Sequence, residues 1–203
     1  MYIPSYYKET DFKTLFTFIQ HNSFGVICSS GNGGIKATHL PFVAEERDNR
    51  IILTSHMSKA NEHWKDLEAG ADLLIIFQGP HAYVSPSNYE LRQNVPTWNY
   101  IAVHTHGKAR IIPSKEGAVA VLEKTIGKYE QAFFKQWQEL SADYKDSMIK
   151  GIVAFEIEVT RMEGKFKLSQ NKTEKEKENI IHSFEQSGDA LTRQLAEEMK
   201  KRN

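Results

Sequence analysis

The stretch Asp72-Leu73-Leu74-Ile75-Ile76-Phe77-Gln78-Gly79-Pro80-His81-Ala82-Tyr83-Val84-Ser85-Pro86 holds five apolar residues in succession. A run that is apolar towards both sides predicts a strand covered on both faces, near the centre of a sheet. Gly79-Pro80 predicts a break, and residues 81–85 a return to extended chain. Upstream, residues 24–29, 37–43 and 50–55 read as an antiparallel meander, with Gly31-Asn32-Gly33-Gly34 and Asp48-Asn49 as its turns. Downstream, residues 96–112 form a long extended segment in which Gly107 suggests a bulge. Residues 152–161 alternate, with Val153, Phe155, Ile157 and Val159 on one side and Glu156 and Glu158 on the other.

Helical spacing flanks these strands. Asp11 can cap a helix whose face is Phe12, Leu15, Phe16 and Ile19. Residues 58–67 read as a short helix stopped by Gly70. Ser114 can cap another, with Ala118, Val121, Leu122, Ile126 and Tyr129 on one face, and Phe133, Phe134 and Trp137 continue an aromatic region. Beyond Asn171 the composition turns to charge. Thr173 and Glu176 form a capping box, and Asp189 can cap a final helix with Leu191, Leu195 and Met199 at spacing four. The expected architecture is α+β: a mostly antiparallel barrel of six to seven strands over residues 1–171, with flanking helices and a C-terminal helical extension over 172–203. The strand–helix alternation and G-x-G-x-x-G of a doubly wound nucleotide fold are missing.

With 26 basic and 26 acidic residues, the charge balance does not steer the chain towards nucleic acid or an anionic membrane. No helix-turn-helix is evident, and direct DNA contact is left open. A single cysteine, Cys28, excludes an intrachain disulfide and predicts a reduced, cytoplasmic protein. Met1-Tyr2-Ile3-Pro4 lacks the pattern of a signal peptide, and no apolar run approaches the ~20 residues that span a bilayer. The eight histidines show no metal-ligand spacing, so no metal is expected.

Four segments could carry chemistry. In Thr54-Ser55-His56-Met57-Ser58-Lys59 a strand gives way to a helix, with hydroxyls and a cation, the composition of a phosphate cradle or of an ordinary cap. Residues 77–86 set Gln78 and His81 among aromatics, as a wall for a flat heterocycle or as a plain turn. In Val95-Pro96-Thr97-Trp98-Asn99-Tyr100 the two aromatics share a face that could stack on a ligand, enter a dimer interface, or pack in the core. Lys165 and Lys167 point the same way, either towards an anion or along a solvated edge strand.

Six stretches in order carry a resemblance: Met1-Tyr2-Ile3-Pro4, Ala37-Thr38-His39-Leu40-Pro41-Phe42, Asn61-Glu62-His63-Trp64, residues 79–86, Val95-Pro96-Thr97-Trp98-Asn99-Tyr100 and residues 163–171. The chain resembles the PaiB family of negative transcriptional regulators, within the FMN-binding split-barrel superfamily. The resemblance implies a split β-barrel homodimer with FMN between two copies. It implies Thr54, Ser58 and Lys59 on the phosphate, and the backbone of Thr38, His39 and Leu40 beside the isoalloxazine. Gln78 would lie near the ring, and Trp98 and Asn99 would arrive from the partner copy. The implied role is repression of protease production and sporulation. The alternative is a flavin-dependent oxidoreductase of the pyridoxamine phosphate oxidase or flavin reductase type, with catalytic residues unknown. Haem in the same barrel is a further alternative, resting on His39 and His81.

Overall fold

The computed structural model describes residues 1–31, 34–48 and 50–202. In chain order the strands are β1 (Lys8–Glu9), β2 (Phe24–Gly31), β3 (Gly34–Pro41), β4 (Val43–Arg47), β5 (Arg50–Ser58), β6 (Leu73–Val84), β7 (Thr97–Ile112) and β8 (Ile152–Lys167). The helices are α1 (Phe12–His21), α2 (Trp64–Glu68), α3 (Lys115–Tyr129), α4 (Phe133–Glu139), α5 (Ala142–Lys150), α6 (Glu174–Glu185) and α7 (Ala190–Lys200). The hydrogen-bonded strand order is β3-β2-β6-β7-β8-β5-β4, with β1 paired to β8. This makes eight strands among the described residues: β1 and β4 are additions to the expected set, and the expected runs 72–78 and 81–85 are joined in β6. None of the helices among the described residues is long and apolar enough to cross a membrane.

The chain divides into two compact units, and β6, β7 and β8 contribute residues to both. The larger unit comprises Phe16–Phe77 and His104–Met162. Here β2 pairs antiparallel with β3 from Phe24↔Pro41 to Gly31↔Gly34, and β5 with β8 from Ile52↔Glu158 to Ser58↔Ile152. The expected strand over 37–43 is β3, which starts earlier and ends at Pro41; β4 follows after Phe42 over residues not expected as strand beyond Val43. Asn32, Gly33 and Asn49 of the expected turns lie outside the described residues. Burial alternates only in the middle of β8: Phe155 and Ile157 are fully buried and the Glu158 side chain is half-exposed, but Ala154 is buried as well, and Val153 and Val159 are only half-buried. At Gly107 a Cβ would lie 2.2 Å from the Glu158 carbonyl oxygen, so only glycine permits β7 to approach β8 there. The Ser114 hydroxyl accepts from Gly117 N–H at 3.1 Å, starting α3, whose Ala118 and Val121 join Ile149 and Ala154 in a buried cluster.

The smaller unit comprises Met1–Leu15, Gln78–Val103 and Glu163–Asn203. The Thr173–Glu176 capping box forms at the head of α6, and Asp189 caps α7. Ile180, Phe184, Leu195 and Met199 are buried, but Leu191 is exposed. Lys165 and Lys167 do not sit on a solvated edge: β1 pairs with β8 at Lys165, whose ammonium lies over the rings of Tyr2 and Tyr100.

Two expected breaks take another form. β6 runs unbroken through Gly79-Pro80. Its pairing with β2 covers only Leu73–Ile76, so at Pro80 that edge asks for no N–H donor. The helix expected over 58–67 is α2 alone. Ser58 ends β5, and its hydroxyl accepts from Ala60 N–H while its carbonyl accepts from Asn61 N–H. The Asn61 side-chain oxygen accepts from His63 N–H. These local bonds make turns where a helix ladder was expected.

Candidate functional site

In the larger unit, β3 brings Thr38 to the turn that follows β5. Thr38 Oγ1 accepts from Asn61 Nδ2 at 3.1 Å and lies 2.8 Å from His63 Nδ1. Ser55 donates to the Pro41 carbonyl at 2.7 Å, tying the end of β3 to the middle of β5. These contacts tie Thr38 of β3 to Asn61 and His63, in the turn that follows Ser58 and Lys59. His39 is exposed and stacks on Phe24 at 6.2 Å, while Leu40 is buried. Because β3 ends the strand order, alternate backbone groups along it lack a strand partner.

The turn itself is rigidly held. Lys59 N–H donates to the Gly151 carbonyl at 2.8 Å, and its own carbonyl accepts from Trp64 Nε1 at 3.0 Å. The Lys59 side chain borders a cavity of about 270 Å³, together with Ser114, Lys115, Asp146 and Lys150. Asp146 pairs with Lys115 at 2.5 Å, and Lys59 and Lys150 are the other two lysines in the lining. Lys150 was not singled out from the sequence. It lies in a segment rich in lysine and acid, where spacing carries no signal.

Thr54 does not join this group. On an extended strand it stands four residues, about 13 Å, from Ser58, too far for both hydroxyls to hold one phosphoryl group. It is also buried at 1% exposure, and its Oγ1 finds no hydrogen-bond partner among the described residues. His56 Nδ1 is orphaned in the same way, and burial pulls the His56 pKa down from its ordinary value.

Gln78, Trp98 and Asn99 belong to the smaller unit. The Gln78 amide lies 3.3 Å from His81 Nδ1. Trp98 is exposed, with its ring centroid 6.2 Å from His81 and 6.1 Å from Tyr83. Asn99 corrects the sequence expectation. It is fully buried, donates to Ser169 Oγ at 2.9 Å and lies against the Met199 sulfur. Its amide is spent inside its own chain and cannot reach a ligand held by another copy.

One face of the larger unit is only partly covered. Strand alternation and register place Phe24, Val26, Cys28, Ile35, Ala37 and His39 on the same side of β2 and β3, continued by Leu74 and Ile76 of β6. Phe24 is 65% and Ile35 83% exposed. A contiguous apolar sheet face of this kind marks an interaction surface. Burial raises the Cys28 thiol pKa, so on this face it is an apolar group and a poor nucleophile.

The donor set fits a phosphorylated flat ring. Lys59, Lys115 and Lys150 line a cavity, and β3, at the end of the strand order, offers backbone groups without a strand partner among the described residues.

Comparison with known proteins gives the same direction. The family described as "Putative FMN-binding domain" matches residues 1–161. The chain is 40% identical over 202 residues to the Protease synthase and sporulation protein PAI 2 of Bacillus subtilis, covering 98% of this chain and 97% of that one. It is 28% identical to an uncharacterized protein of Emericella nidulans, covering 93% and 92% of the two chains. Among solved structures, the flavocytochrome Anf3 of Azotobacter vinelandii aligns with a TM-score of 0.61 at 17% identity, covering 81% of this chain and 72% of that one. The FAD and heme binding protein of Mycobacterium smegmatis aligns at 0.60 and 14% identity, covering 79% and 73%. At such identities these two show a shared fold.

Proposed function

This chain belongs to the FMN-binding domain family, and on that premise we propose that it binds FMN as a cytoplasmic homodimer and acts as a negative regulator of protease production and sporulation. The fold is a mixed α/β, mostly antiparallel split barrel of the flavin-binding kind. The observation that supports the reading is the bond from Asn61 to Thr38, which ties β3 to the turn carrying Lys59, with Lys59 and Lys150 lining one cavity.

In this reading Lys59, with Ser58 and Lys150, holds the phosphoryl end, because a doubly ionised phosphate outcompetes water for ammonium groups where it meets several at once. The free edge of β3 at Thr38, His39 and Leu40 serves the polar rim of the ring. The apolar face of Phe24, Val26 and Ile35 meets its copy and excludes water from the seam. Gln78 and the exposed Trp98 are the groups a second copy brings to the ring. The bound flavin supplies redox chemistry, which a sensor can use as a signal and an enzyme as a reaction centre.

Fluorescence titration tests this directly. The protein is expected to quench FMN and to bind it more tightly than riboflavin. Lys59→Ala should weaken FMN about tenfold, roughly 1.4 kcal/mol, and leave riboflavin unchanged. No flavin binding at high micromolar concentration would overturn the proposal. For the regulatory half, the 40% identity to a protease and sporulation protein is the support. Loss of the chain should raise secreted protease in its host. The second reading, an FMN-dependent oxidoreductase, rests on the redox character of the family's cofactor. Steady NAD(P)H consumption by the FMN-loaded protein would favour it, and none across a panel of acceptors would favour the regulator.

A further inference from the structure

A hydrogen-bond chain runs through the larger unit from the turn after β5 to α2, and chemistry fixes its direction. Asp66 carries the anionic end: Lys36 donates to Oδ1 at 2.8 Å, and Ser29 Oγ lies 2.6 Å from Oδ2. The Lys36 and Ser29 contacts hold the Asp66 carboxyl below its ordinary pKa, so it is an acceptor only. Ser29 therefore donates to Asp66, and its oxygen has only acceptor capacity left for His63 Nε2 at 2.9 Å. That puts a proton on Nε2, and burial, which lowers the His63 pKa, favours the neutral ring. Nδ1 is then the acceptor, and the Thr38 hydroxyl donates to it at 2.8 Å. The Thr38 oxygen in turn accepts from Asn61. Ser29 and His63 are 4% and 2% exposed. Gly31 leaves the space this needs, since a Cβ there would stand 2.8 Å from the Asp66 carboxylate.

We propose that His63 is a positioning residue for the flavin site: as the neutral Nε2–H tautomer it turns the Thr38 hydroxyl inward and locks the turn carrying Lys59 and Asn61 to the edge strand β3. The inference rests on the FMN reading above. It goes beyond that reading in assigning the spacing between phosphoryl anchor and ring edge to a buried imidazole that bonds the Thr38 side chain and is itself no flavin contact. It also gives the site a pH dependence. On protonation Nδ1 becomes a donor, the Thr38 oxygen then faces donors from both His63 and Asn61, and its own proton must turn away. The charged groups facing His63 are Asp66 from α2 and Lys36 from β3, while β2 offers Ser29 and the turn offers Asn61. Burial outweighs the Asp66 carboxylate and keeps the ring neutral at pH 7.

The test compares wild type, His63→Gln and His63→Leu, each titrated with FMN and with riboflavin between pH 8 and pH 5. Glutamine supplies one donor and one acceptor but does not titrate, and leucine supplies neither. FMN's own phosphate titrates equally in all three proteins, and riboflavin lacks it. Wild type should lose riboflavin affinity about tenfold on acidification, while His63→Gln stays flat. His63→Leu should bind FMN about tenfold more weakly than wild type already at pH 8. Long-range proton–nitrogen spectra of the ligand-free wild type should show the Nε2–H tautomer at pH 8. Equal pH profiles for wild type and His63→Gln, or an Nδ1–H tautomer, would overturn the inference with FMN binding intact. Absence of flavin binding by the wild type at pH 8 would overturn both it and the FMN reading.

Discussion

Thr54 and His56 carry buried polar atoms without partners among the described residues, Oγ1 and Nδ1. A buried hydroxyl left unsatisfied costs about 1–3 kcal/mol. Thr54→Val keeps the shape and removes the debt, so it should raise the melting temperature and leave FMN affinity unchanged. Weakened FMN with unchanged stability would instead return Thr54 to the phosphate. The histidines set an acid limit. Burial lowers the pKa of both His56 and His63 below the ordinary 6.5, so the unfolded chain takes up protons before the folded one. Stability should be level with respect to these groups above that pH, and fall as the pH drops from about 6.5 towards the folded-state values. Thermal melts from pH 8 to pH 5 check the sign, and a His56→Gln/His63→Gln protein should show a flatter profile.

Elements whose ends depend on their own residues were legible in the sequence. Asp11, Ser114, Thr173 with Glu176, and Asp189 all cap as their spacing predicts, because each bond spans about three residues. Glu176 does more than its spacing reveals: its carboxylate also accepts from Glu90 N–H at 3.2 Å. Thr173→Ala should therefore cost about 1 kcal/mol, and Glu176→Ala more, since it strands two backbone donors. Chemical denaturation of the two variants measures the order. What the sequence hid was non-local. Whether Pro80 breaks β6 depends on where β2 stops pairing, and Asn99 looked like a ligand group until α7 folded over it. The turn after β5 replaced a helix because Ser58 and Asn61 satisfy one another's backbone. Likewise, Thr38, Ser58 and Lys59 were chosen as site residues from their chemistry, but Asn61 and His63 join them only through the approach of β3.

At the scale of the whole molecule, the proposed seam where two copies enclose FMN is the partly covered face of β2, β3 and β6. Ile35 is the residue to change. At 83% exposure its side chain contributes little to the fold of its own chain, so Ile35→Asp should leave the melting temperature of the isolated chain nearly unchanged. Two facing copies would bury a pair of like charges in an apolar patch, which no dimer of standard area tolerates cheaply. The direct measurement is sedimentation of wild type and Ile35→Asp with FMN, followed at a flavin wavelength. The account predicts a wild-type dimer carrying flavin in its boundary and an Ile35→Asp monomer that leaves FMN behind. A monomeric variant that still carries flavin, or a wild type that sediments as a flavin-bound monomer, would contradict it.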